Sequence, residues 1–148
     1  MRTLTFCCLF IVFLFNSSTI LAQQTHIVSA GVQMDEFSEF YDNMYLSFLS
    51  YGYETKSWTS IVKLNYTDRF QKTGLQLDLE AYHKFKSGKY LYLGYAYSGS
   101  ELFPQNRAGA ELFVPFMKKW EWSAGLRFLN FSTGTSTLFY TGSISLYY

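Results

Sequence analysis

Between Gly74 and Phe85 the chain alternates without a break. Leu75, Leu77, Leu79 and Ala81 share one parity, and Gln76, Asp78, Glu80, Tyr82 and Lys84 share the other. A helix would set Asp78 and Leu79 on neighbouring faces, whereas a strand sends alternate side chains to opposite faces. The segment is therefore read as a strand. Period-2 stretches recur at His26–Met34, Met44–Glu54, Thr59–Thr67, Lys89–Ser98, Asn106–Val114, Lys119–Asn130 and Thr137–Tyr148. Most run to about 9–12 residues, longer than the five or six common in soluble sheets. A tilted strand crossing a bilayer needs about 9–11. No helical stripe competes with any of them.

The N-terminus belongs to a different category. Residues 1–22 carry one cation, Arg2, then an apolar run from Phe6 to Phe15, a polar Asn16-Ser17-Ser18 and a small residue at Ala22. That order is a secretory signal peptide, and the run is too short for a spanning helix, which needs about 20 apolar residues. Cleavage after Ala22 removes 22 of the 148 residues and leaves a mature domain at 23–148. Cys7 and Cys8, the two cysteines, leave with the leader, so the mature chain has no disulfide, cysteine-bound metal or lipid-anchored cysteine. Losing Arg2 also balances the charges, at 11 of each sign. A basic nucleic-acid binder is excluded on that balance.

The connections support a membrane barrel. Asp35–Asn43, Asp68–Lys72, Gly99–Gln105 and Phe131–Ser136 are predicted to be long and polar, alternating with tight turns at Thr55–Trp58, Lys86-Ser87-Gly88 and Pro115–Lys118. Short periplasmic turns and longer external loops characterise up-and-down barrels of outer membranes. A soluble barrel with an apolar lumen shares the strand period, so alternation alone does not say which face meets lipid. Three features favour lipid on the apolar face. Charge content is low against about 25% in ordinary soluble domains. Aromatics gather near strand ends, with Tyr51, Tyr53, Tyr90, Tyr92, Trp120, Trp122, Tyr147 and Tyr148 toward one rim and Tyr66, Tyr97 and Phe128 toward the other. The last strand sets Tyr140, Gly142, Ile144, Leu146 and Tyr148 on one parity, a pattern similar to the C-terminal assembly signal of outer-membrane proteins. The expected partners are outer-membrane lipid and the outer-membrane assembly machinery, in a bacterial cell.

On this reading the polar parity faces a lumen. Its charges are Lys63, Asp78, Glu80, Lys84, Arg107, Glu111, Glu121 and Arg127, four of each sign. They are either the lining of a narrow channel or a self-neutralised network. An eight-strand barrel has room for little more than its own side chains, which favours the network.

Chemistry is hard to place on this chain. His26 and His83 are the two histidines; His83 shares the parity of Leu79 and Ala81, and neither has metal-ligand company at suitable spacing. Asp78 and Glu80 lie about 7 Å apart along one strand, a separation that glycosidase carboxylates also use. Cationic partners of the same parity favour a structural pair. Gly52, Gly94, Gly109, Gly125 and Gly142 are scattered across the strands, as curvature and close packing require, and form no phosphate loop. No enzyme activity, cofactor or metal is expected. One acidic-aromatic cluster, Asp35, Glu36, Phe37, Glu39, Phe40, Tyr41 and Asp42, is a candidate contact surface on a loop, with a solvated loop as the alternative.

Four strings carry a resemblance: LNYTDRFQKTGLQLDLEAY at 64–82, GYAYSGSELFPQNRAGAELF at 94–113, LRFLNFST at 126–133 and YTGSISLYY at 140–148. Together they resemble the YaiO-type outer-membrane β-barrel family over roughly Tyr45 to Tyr148, the stretch from Phe103-Pro104 to Glu111 being the most specific. The resemblance implies a surface-exposed barrel of undefined molecular activity and supplies no catalytic residues. Family members often carry N-terminal helical repeats and further C-terminal strands, so the resemblance implies either an incomplete larger barrel or a shortened one that uses Tyr148 as its terminal aromatic. The expected fold is all-β: an antiparallel up-and-down transmembrane β-barrel with about eight strands present.

Overall fold

The computed structural model describes residues 24–36, 43–69 and 71–147. The leader at 1–22 and most of the acidic-aromatic cluster lie outside them. Eight strands follow in order: β1 (Thr25–Asp35), β2 (Met44–Glu54), β3 (Trp58–Arg69), β4 (Lys72–Lys84), β5 (Tyr90–Tyr97), β6 (Asn106–Phe116), β7 (Trp120–Asn130) and β8 (Ser136–Leu146). Each pairs antiparallel with the next in one sheet of order β1 to β8. The eight predicted strands are all present. Among the described residues the sheet is not closed, and β1 and β8 are its edges.

Register assigns every residue to a face. Lys63, Asp78, Ala96 and Arg107 stand opposite one another in turn across β3 to β6, and Glu80, Gly94, Gly109 and Arg127 do so across β4 to β7, so two rows of one polar face cross the sheet. The adjoining row, Val62, Leu79, Tyr95, Ala108 and Phe128, belongs to the other face. A slip of one residue would exchange the two faces along the whole strand.

Burial follows these faces in the reverse of the soluble pattern. Thr67, Gln76, Asp78, Ser98, Glu121 and Ser123 are buried, while Ala96 is the one buried hydrophobic among the described residues. Val32, Leu49, Leu75, Leu79, Leu126 and Ile144 are exposed. A water-soluble sheet hides its apolar parity; this one hides its polar parity.

The turns differ in part from expectation. The β4–β5 and β7–β8 connections are built alike: Phe85 and Phe131 donate backbone N–H groups to the carbonyls of Lys89 and Thr135, while Gly88 and Gly134 donate back to Phe85 and Phe131. Both glycines have positive φ, 82° and 84°, which side chains disfavour. The predicted long loop at Phe131–Ser136 is therefore a tight hairpin like Lys86-Ser87-Gly88. The one predicted at Asp68–Lys72 is tighter still. Asp68 pairs with Thr73 and Arg69 with Lys72, which carries the ladder to the turn, where Gln71 is left-handed at φ 57°. The long connections are 36–43 and 98–105, at the same end of the sheet.

Candidate functional site

The polar face brings the eight predicted charged residues onto one surface and sorts them into clusters. At its centre Asp78, 2% exposed, receives two cations. Arg107 Nη2 is 2.5 Å from its Oδ2, and Lys63 Nζ lies 3.9 Å from the same oxygen and 3.9 Å from Glu80. Asp78 and Glu80 thus share Lys63 as an ion-paired set. Arg127 lies 3.7 Å from Glu111, whose Oε1 accepts a 2.6 Å bond from the Ser123 hydroxyl. Ser123 in turn contacts the Ser143 hydroxyl at 2.8 Å, which links β6, β7 and β8.

Lys84 and Glu121 stand apart from that centre. Lys84 reaches Glu54 on β2 at 2.7 Å, a partner absent from the predicted set. Glu121 is held by phenols: its Oε1 accepts from the Tyr90 and Tyr147 hydroxyls, each at 2.9 Å. Tyr90 also stacks on Phe113, centroids 4.5 Å apart and planes 7° off parallel. Tyr90, Tyr92 and Tyr147 were expected in a lipid-facing rim. Register turns Tyr90 and Tyr92 to the polar face, and Glu121 draws the Tyr147 hydroxyl inward. Parity counted from a strand's end, without its partner, cannot reveal that.

The apolar face keeps the remaining rim residues. His83 lies between Trp58 at 4.4 Å and Phe85 at 4.6 Å between ring centroids, beside the β4–β5 turn. His26 Nδ1 sits 2.7 Å from the Tyr51 hydroxyl. Tyr66, Tyr97 and Phe128 are exposed on the same face toward the opposite end. No group of three or more His, Cys, Asp or Glu suited to a metal occurs among the described residues.

The sheet's polar side encloses a groove of about 490 Å³ spanning β2 to β7. Its lining includes Lys63, Asn65, Gln76, Asp78, Tyr82, Tyr92 and Arg107. Gly94 makes room within it, because a Cβ there would collide with the Tyr92 hydroxyl. Phe103, from the β5–β6 connection, also lines the groove.

That connection is folded against the sheet. Buried Ser98 donates its hydroxyl to the Leu75 carbonyl at 2.6 Å and accepts from the Ser100 N–H at 3.0 Å. Arg69 Nη2 donates to the Leu102 carbonyl, and Lys72 pairs with Glu101 at 2.7 Å. Gly74 provides the seat: a Cβ there would stand 2.6 Å from Ser100 Oγ. The Lys72 ammonium, by its hydrogen bond first and its charge second, holds the Glu101 carboxyl below its ordinary pKa. The sequence predicts this connection at Gly99–Gln105 but not its docking, because Ser98, Ser100 and Gly74 acquire meaning only when β4 and the loop are brought together.

No curated protein and no solved structure matches the chain. The inside-out burial, the antiparallel eight-strand meander and a match of the YaiO membrane beta barrel domain model over residues 25–148 agree, and the chain belongs to the YaiO membrane beta barrel domain family.

Proposed function

We propose that this protein is a non-enzymatic barrel of the bacterial outer membrane, exported through its leader and exposed at the cell surface. Its polar face is the barrel interior, braced by charge pairs, and the end carrying connections 36–43 and 98–105 is external. One observation carries the reading. The polar parity is buried and the apolar parity exposed, so the domain's preferred surroundings are hydrocarbon. A soluble ligand-binding barrel requires the opposite arrangement. Lipid and the assembly machinery are the partners, the latter through the apolar parity of β8.

The test is heat modifiability of the protein recovered from the outer-membrane fraction. A barrel resists denaturing detergent until boiled and then changes mobility. A shift with recovery in that fraction supports the proposal; a soluble, shift-free chain overturns it.

A narrow channel is the second reading, favoured by the groove's open volume. Planar-bilayer conductance above baseline supports it, and a flat baseline removes it.

A further inference from the structure

One stretch of the groove has hydrogen-bonding capacity that the protein leaves unused. Among the described residues, the Asn65 and Gln76 amides and the Tyr82 and Tyr92 hydroxyls make no hydrogen bond to another side chain or to the backbone. Asp78 adds nothing to that capacity, since its Oδ2 is paired with Arg107 and its unpaired Oδ1 is enclosed. The contrast with the neighbouring cluster is sharp: there Glu111, Ser123 and Ser143, and Glu121 with its two tyrosines, satisfy one another. Polar groups that line a groove, stay accessible there and are unpaired by protein take water or a ligand as partner.

Three properties narrow the ligand. Size comes first: about 490 Å³ falls within the range of roughly 300–1,000 Å³ usual for small-molecule sites. Charge is second, because Lys63, Arg107 and Arg127 offset Asp78, Glu80 and Glu111 on the groove wall, and a neutral ligand needs no counter-ion there. The third is the mix of unused groups. Amides and phenols both donate and accept. Sugar hydroxyls also do both. Tyr82 and Tyr92, centroids 5.0 Å apart at 49°, add an aromatic flank for the C–H face of a pyranose.

We infer that the groove binds a neutral sugar of one or two rings, hydrogen-bonded by Asn65 and Gln76 and flanked by Tyr82 and Tyr92. Phe103, from the β5–β6 connection, lines the same space. The inference rests on the proposed reading of this face as the barrel interior.

The test is saturation-transfer difference NMR with glucose, maltose and cellobiose. The full-length product is purified in lauryldimethylamine oxide, a detergent without a sugar headgroup. Transfer to at least one sugar is expected, with millimolar affinity weakened about ten-fold by the double substitution N65L/Q76L. Removing only one hydroxyl with Tyr92→Phe weakens it about three-fold and serves if the double variant does not fold. No transfer from any of the three sugars, or equal transfer with wild type and both variants, overturns the inference. So does tighter binding of lysine or gluconate than of any sugar. A retained heat shift without sugar transfer rejects this inference alone; a lost heat shift in the wild type rejects the barrel reading.

Discussion

Arg107 on β6 reaches past Ala96 on β5 to place its Nη2 2.5 Å from Oδ2 of Asp78 on β4. The two residues belong to strands that do not pair, so their contact requires the sheet to bring alternate strands together over its polar side. Ala96 permits it. The small side chain is completely buried beneath the contact. Removing one member of a buried charge pair leaves the other uncompensated, which costs about 3–5 kcal/mol. Arg107→Ala is expected to destabilise the fold by about 2 kcal/mol, below that range because the Arg107 side chain is 40% exposed and Lys63 remains at 3.9 Å. Urea titration in detergent measures it, and a loss below about 1 kcal/mol would contradict the assignment.

Glu121 ties the segment after β8 to β5 through one carboxylate oxygen shared by two phenols. Hydrogen bonds to a charged acceptor are worth about 1.5–3 kcal/mol each. Glu121→Leu is expected to cost at least about 2 kcal/mol, and Glu121→Gln, which keeps a carbonyl acceptor, about half as much. The temperature at which the unboiled band disappears reads the order of the three proteins.

Gly125 marks a close approach between β6 and β7, since a Cβ there would stand 2.5 Å from the Ala110 carbonyl oxygen and 2.8 Å from Glu111 Cβ. Backbone cannot yield as a flexible side chain does. Gly125→Ala is expected to cost about 1–3 kcal/mol. Gly99→Ala, in the β5–β6 connection with nothing within 4 Å of an added Cβ, is the neutral control. Equal stability of the two variants would refute the close approach.

The Lys72–Glu101 pair gives the loop a pH dependence. Lys72 depresses the carboxyl's pKa in the folded state, so its contribution is present above the unfolded value and lost as pH falls through the folded one. Amide protection of Phe103 in wild type should exceed that in Lys72→Ala at about pH 6, and the difference should vanish near pH 3. High salt reduces it as well, because the pair is exposed. A pH-independent difference would show that Lys72 acts by packing.

Strand period, strand length and the parity of Lys63, Asp78, Glu80, Arg107, Glu111 and Arg127 were legible in the sequence. Each follows from the two-residue repeat of an extended chain, which needs no knowledge of neighbours. The Lys86-Ser87-Gly88 turn was legible for a similar local reason, since a glycine must take the left-handed position. The same chemistry in Phe131–Thr135 escaped notice because its polar residues read equally well as a longer loop.

Tertiary structure alone decided who meets whom. Lys84 pairs with Glu54, Glu121 takes tyrosines, and Asp78 keeps one oxygen unpaired, because register and sheet curvature bring side chains from strands two apart in the meander within reach of one another. It also turned Tyr90 and Tyr92 inward and laid the β5–β6 loop on Gly74. Alternation is a property of one strand and is written in its residues. Partnership is a property of several strands at once, and only their packing determines it.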